Sequence, residues 1–183
     1  MEKTIGNNGT PLFKRILLLV MTALIAAMTC VATMILVVPS PTGGYMNLGD
    51  AVVLLGAFLL GPVYGAVAGG VGAALADLLA GYTVYIPATL VIKALMGGAA
   101  GLLWRAVGKR WRTAGLVICG IAAETIMVVG YWLYDGILMG SLAGSAVGIP
   151  SNLVQAAFGI AAGTLLAAAL RKVSYVHRLF PEF

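Results

Sequence analysis

Apolar residues run along this chain in six blocks, separated by short breaks rich in glycine, proline and charge. A helix that crosses a bilayer needs roughly 20 predominantly apolar residues, with about 17–25 the usual range. On that ruler the blocks predict helices at about 14–38, 48–61, 62–80, 87–107, 113–135 and 149–171. The second block is short, so its helix either tilts or begins within "MNLGD".

The breaks have local causes. "VVPSPTGGYMNLGD" holds two prolines and two adjacent glycines, which predicts a long loop after the first helix. Gly61-Pro62 ends the second helix and places proline in the first turn of the third, where its missing N–H costs nothing. Pro87 and Pro150 open the fourth and sixth helices in the same way. Small residues recur every fourth position at Gly61, Gly65, Gly69, Ala73, Asp77 and Gly81, a spacing that lets helix backbones approach closely in lipid. Ala23 and Ala27 form a shorter pair of the same kind in the first helix.

Composition turns this pattern into a membrane protein. Hydrophobic residues make up 61% of the chain and charged residues 9%, too few polar groups to clothe a water-soluble core. The mean hydropathy is +1.04. The expected architecture is therefore an all-α integral membrane bundle of six transmembrane helices, one domain over residues 1–183. The first apolar run, 16–38, is too long for the apolar region of a signal peptide, so an uncleaved first membrane helix is expected.

Charge then supplies a direction. Lys3, Lys14 and Arg15 precede the first helix. Arg105, Lys109, Arg110 and Arg112 join the fourth and fifth, and Arg171, Lys172 and Arg178 follow the sixth. Ten of the eleven basic residues thus fall at one end, which the positive-inside rule makes cytoplasmic. Both termini are expected on that side. The net charge of +5 is scattered over helix ends rather than gathered in a stripe, which argues against nucleic acid.

The eleventh basic residue, Lys93, lies inside the fourth helix, roughly 9 Å below its outer end at ~1.5 Å per residue. Asp77 lies roughly 6 Å below the same end. Charged groups at bilayer depth normally face a bundle interior or a wet cavity. Asp77 and Lys93 therefore either lock the third and fourth helices as an ion pair or face a pocket. Asn47 and Asp50 either cap the second helix or join that pocket. Tyr85, Trp132, Asn152 and Gln155 lie at similar depth, while Glu124 is deeper, about 16 Å from the outer end. Tyr131, Trp132 and Tyr134 also suit an interfacial aromatic belt.

Other chemistries find no support. No phosphate-binding loop, zinc-protease motif or nucleophile elbow occurs, so neither ATP hydrolysis nor catalysis by this chain is expected, and no cofactor or metal is predicted. Cys30 and Cys119 sit inside apolar runs and His177 stands alone near the C-terminus.

Three linked segments, "NLGDAVVLLGAFLLGP", "GAVAGGVGAALADLLAG" and "YIPATLVIKALMGGAAG", resemble the substrate-binding S components of energy-coupling factor (ECF) transporters. The resemblance covers nearly the whole chain and is strongest from Asn47 to Gly101. It implies a vitamin or vitamin precursor bound in an outer-leaflet pocket roofed by the loop at 39–47. It also implies partnership with a membrane T component and two ATPases, with Ala23 and Ala27 matching an Ala-x-x-x-Ala motif that packs on the T component. Transport would then proceed by toppling of the S component in the membrane. The Asn-Leu-Gly-Asp and Pro-Ala-Thr-Leu-x-x-Lys segments are similar to members for hydroxymethylpyrimidine or vitamin B6 compounds, with riboflavin the next candidate. A rival class is an ion-coupled secondary transporter, for which no internal repeat is visible.

Overall fold

The computed structural model describes residues 10–106, 108–180 and 183, with Lys109 described by its backbone alone. Lys3, counted among the basic residues above, and position 107, the expected end of the fourth helix, lie outside the described residues. The elements are α1 (Pro11–Ile35), β1 (Val38–Pro39), β2 (Tyr45–Met46), α2 (Gly49–Leu60), α3 (Pro62–Ala80), α4 (Ile86–Ala106), α5 (Arg112–Met139), α6 (Leu142–Ser145), α7 (Ile149–Leu170) and α8 (Ser174–Leu179).

Among the described residues, five helices are long and apolar enough to cross a membrane: α1, α3, α4, α5 and the stretch containing α7. The sixth expected helix, α2, has 12 residues and so is about 18 Å long, well short of the roughly 30 Å hydrocarbon core. All twelve of its residues are buried, packed among α1, α3, α4 and α7. A helix sheathed in protein need not span, because its ends find partners inside the fold rather than in lipid. The space left above its N-terminus is where a cavity opens.

Three boundaries differ from the sequence expectation by three residues or more. The first helix starts at Pro11 instead of 14, where Thr10 Oγ1 accepts the Phe13 N–H at 3.3 Å as an N-cap. The first helix stops at Ile35 instead of 38, because Val38 precedes a proline, is biased toward extended backbone, and pairs across to Met46 in the β1–β2 hairpin. The fifth helix passes Asp135 and runs to Met139. Its true stop is Gly140 at φ +64°, a left-handed cap, with the Ser141 N–H returning to the Gly136 carbonyl at 3.0 Å.

The core is centred on α2. Leu54 and Phe58 meet Met96 and Trp104 of α4 and Leu116 and Met127 of α5 within one buried cluster, the Phe58 and Trp104 rings 5.6 Å apart. Large apolar side chains such as Leu19, Val67, Leu102 and Phe158 point outward instead, as lipid-facing positions do.

Glycines make the α3–α4 crossing close. A Cβ on Gly97 would stand 2.7 Å from the Gly65 carbonyl oxygen, and one on Gly70 2.8 Å from the Leu90 carbonyl oxygen. A Gly97→Ala variant is therefore expected to lose about 1–3 kcal/mol of stability, since only backbone could give way. Gly98→Ala is the control: its Cβ would meet the Ala66 Cβ at 3.6 Å, ordinary contact, and should leave the melting temperature in detergent unchanged.

Candidate functional site

At the end of the bundle remote from the basic residues, a cavity of about 440 Å³, its open mouth included, lies between α3, α4, α5 and α7. The β1–β2 hairpin and its Ser40–Gly44 loop form one side of it, and Thr33 near the end of α1 another.

The floor is a chain of hydrogen bonds that ties four elements together. Lys93 of α4 forms an ion pair with Asp50 of α2. The other oxygen of Asp50 accepts from Gln155 Nε2 of α7 at 2.6 Å. Gln155 Oε1 in turn accepts the backbone N–H of Asn47 at 2.8 Å. Tyr131 of α5 completes the floor, its ring centroid 5.5 Å from the Lys93 ammonium, within cation–π range. The Lys93, Asp50 and Gln155 side chains thus satisfy one another, as burial demands.

Glu124 lies outside this network. It is 2% exposed and lies beside Asp50 in space left by Gly159, and neither oxygen has a partner among the described residues.

The walls carry two more acids. Asp77 of α3 accepts the Tyr45 hydroxyl on Oδ1 at 2.6 Å. Tyr45 belongs to the hairpin, outside the spans. Burial first, and the neighbouring Asp77 second, push its hydroxyl above the ordinary tyrosine range, so it stays protonated and donates. Asp135 of α5 lies opposite, with the Tyr85 hydroxyl 3.0 Å from its Oδ1. Thr89 and Tyr131 hydroxyls, in the same lining, meet at 3.0 Å.

The hairpin is latched on three sides. The Tyr85 hydroxyl reaches the Thr42 carbonyl at 3.1 Å, Ser40 Oγ meets Ser151 Oγ of α7 at 3.0 Å, and Tyr45 packs on Tyr82 with centroids 4.4 Å apart. The hairpin therefore closes the cavity through a few polar contacts rather than through a core of its own.

Of the residues singled out from sequence, Asn47, Asp77, Tyr85, Lys93 and Asn152 line the cavity. Asp50 and Gln155 lie one layer beneath, where they hold Lys93. Glu124 is deeper still. Trp132 lies off the cavity wall, its indole N–H donating to the Leu142 carbonyl at 3.0 Å. Ala23 and Ala27 lie on the exposed face of α1. The ion pair considered between Lys93 and Asp77 is formed with Asp50 instead, because α2 brings its first turn directly over Lys93. Capping of α2 is also different: Asn47 Oδ1 accepts the Gly49 N–H at 2.9 Å, while both Asp50 oxygens are engaged elsewhere.

Sequence reasoning did not name Asp135, Thr33 or Thr89, assigned Tyr131 to an interfacial belt, and reached Thr42 and Tyr45 only as part of the 39–47 loop. The signal for two of them was present. Glu124, Tyr131 and Asp135 lie at i, i+7 and i+11, one face of a continuous helix, but treating Asp135-Gly136 as a helix end hid that stripe.

Comparison with known proteins places this geometry. A family model described as the S component of ECF-type riboflavin transporters matches residues 14–172. An uncharacterised protein in the gap 3′ region of Pyrococcus woesei is 38% identical over 144 residues, covering 78% of this chain and 93% of that protein. The thiamine precursor transporter HmpT of Lactococcus lactis subsp. cremoris (strain MG1363) is 28% identical over 141 residues, covering 76% and 78%. Among solved structures, the S component of a bacterial ECF transporter superposes with a TM-score of 0.66 at 22% identity, covering 86% of this chain and 97% of that one. The S component for biotin from an ECF-type ABC transporter gives 0.61 at 16% identity, covering 94% and 100%. At these identities the structures speak to the fold alone.

Proposed function

This chain belongs to the family of ECF-type riboflavin transporter S components, and we propose that its cavity binds a hydroxymethylpyrimidine or pyridoxine-like ring for ATP-driven import. The coarser statement holds by membership: it is a multi-pass membrane subunit for uptake of a vitamin or precursor, not an enzyme. S components work with a T component and ATPases.

One observation carries the choice of ligand. The cavity is walled by Tyr85, Tyr131 and Tyr45 and by the hydrogen-bonding groups of Asn47, Asp77, Lys93, Asp135 and Asn152. A single heteroaromatic ring with hydroxyl or amino substituents fits those walls, stacking on tyrosine and bonding to Asn47, Asn152 and Lys93. The likeness to a thiamine precursor transporter favours the same class. Riboflavin is the second reading, supported by the family description. The concentration of basic residues at the opposite end supports cytoplasmic termini, six helices in the membrane counting the sheathed α2, and a cavity that faces outward when loaded. Delivery would follow from reorientation of this compact body against the T component.

The test is thermal stability and native mass spectrometry of the purified protein with a vitamin panel, followed by uptake in cells. Binding of a one-ring vitamer, with uptake only when the T component and ATPases are co-expressed, is the expected result. Uptake by this chain alone, abolished by a protonophore, would show a secondary transporter instead.

A further inference from the structure

Four acids and one base occupy the interior of the bundle toward the cavity: Asp50, Asp77, Glu124 and Asp135 against Lys93. Lys93 is committed to Asp50, the sole salt bridge among the described residues. Glu124 is behind Asp50, away from the cavity. That leaves Asp77 and Asp135 on the cavity wall, neither in a salt bridge among the described residues, with Lys93, the one cation of the lining, paired to Asp50.

Each has a single tyrosine on one oxygen. Asp77 Oδ2, buried and on the wall, has no partner among the described residues. The Tyr85 hydroxyl has one proton to divide between Asp135 Oδ1 and the Thr42 carbonyl, so Asp135 is only partly satisfied. Thr33, also in the lining, has its Oγ1 buried against Gly49 without a partner among the described residues. The lining thus offers acceptors and negative charge in excess of donors. Buried carboxylates persist where something pairs them.

Building on the reading of this cavity as the vitamin site, we infer that its ligand is bound as a small organic cation held between the Asp77 and Asp135 carboxylates. The two acids select for charge, and Asp135 is a specificity-determining residue for this site. A neutral ring would fit the same space but leave both carboxylates without a counter-ion.

Pyridoxamine and pyridoxine test this directly, since they share a ring and differ by an ammonium in place of a hydroxyl. Calorimetric titration of the full chain in detergent at neutral pH is expected to show pyridoxamine binding at least about ten-fold tighter, the scale of a charge-assisted hydrogen bond. Asp135→Asn keeps an acceptor for Tyr85 and is expected to remove that preference, so that the ratio of pyridoxamine to pyridoxine affinity falls to about one. If Asp135→Asn does not fold, Asp77→Asn takes its place, and the wild-type comparison decides by itself if neither does. Equal affinity for the two vitamers, or tighter binding of riboflavin than of either, overturns the inference and leaves the vitamin-binding reading intact. Binding of benzamidinium with no vitamer supports the cation site and overturns the vitamin reading. No binding by any of the four overturns both.

Discussion

A Lys93→Met variant is expected to lose about 3–5 kcal/mol of folding stability, because it leaves Asp50 buried without its counter-ion. Methionine fills nearly the same volume, so the loss would be electrostatic rather than a cavity. Asp50 is 1% exposed and sits in the first turn of a helix buried along its whole length, so the protein offers it no second cation to replace the ammonium. Removing both charges is expected to behave differently. In Lys93→Met/Asp50→Leu, apolar groups of similar volume replace the pair, and such replacements are often neutral or stabilising. The remaining loss would come from Gln155, whose Nε2 then lacks its acceptor at a cost of about 1–3 kcal/mol. Denaturation midpoints of the two variants and wild type in one detergent measure this. If Lys93→Met melts with wild type, the pair is not what fixes α2 against α4. Ligand titration of the double variant then separates the two roles of Lys93: restored folding with lost binding means the ammonium, which also lines the cavity, touches the ligand.

How much of this was legible in the sequence depends on what each residue had to announce. Helix positions followed from apolar length and from Gly61-Pro62, Pro87 and Pro150, because these breaks act locally. The partner of Lys93 was not legible. Asp50 and Asp77 are both acids near the right depth, and only the packing of α2 over α4 selects Asp50. Burial of α2 on every face was equally hidden: a short apolar helix looks the same whether it tilts in lipid or is sheathed by four others. On α5, Tyr131 and Trp132 are adjacent in sequence but about 100° apart around the helix, so one reaches the cavity and the other meets Leu142. The hairpin residues Thr42 and Tyr45 come to the site through a loop closure that no periodicity encodes.

Placing leucine at both Ala23 and Ala27 is expected to reduce vitamin uptake at least about ten-fold while leaving ligand affinity within about two-fold. The two alanines sit on the face of α1 opposite Thr22, Ile25, Thr29 and Thr33, which are buried in the bundle. Larger apolar residues, Val20, Leu24 and Val31, flank them and are exposed. Nothing about lipid contact requires small side chains there, since leucine would meet acyl chains as well or better. A pair of alanines one turn apart instead leaves a notch through which another helix backbone can approach, and two leucines would hold that helix away. The folded protein itself should tolerate the change, because the added atoms project outward. Thermal stability and calorimetric affinity of the purified variant, set beside uptake in cells that carry the T component and ATPases, separate the steps. Unchanged uptake would mean that the energising partner docks on another face. Lost affinity would trace instead to the far side of the same helix, where Thr33 lines the cavity and a shift of α1 would be felt by the ligand.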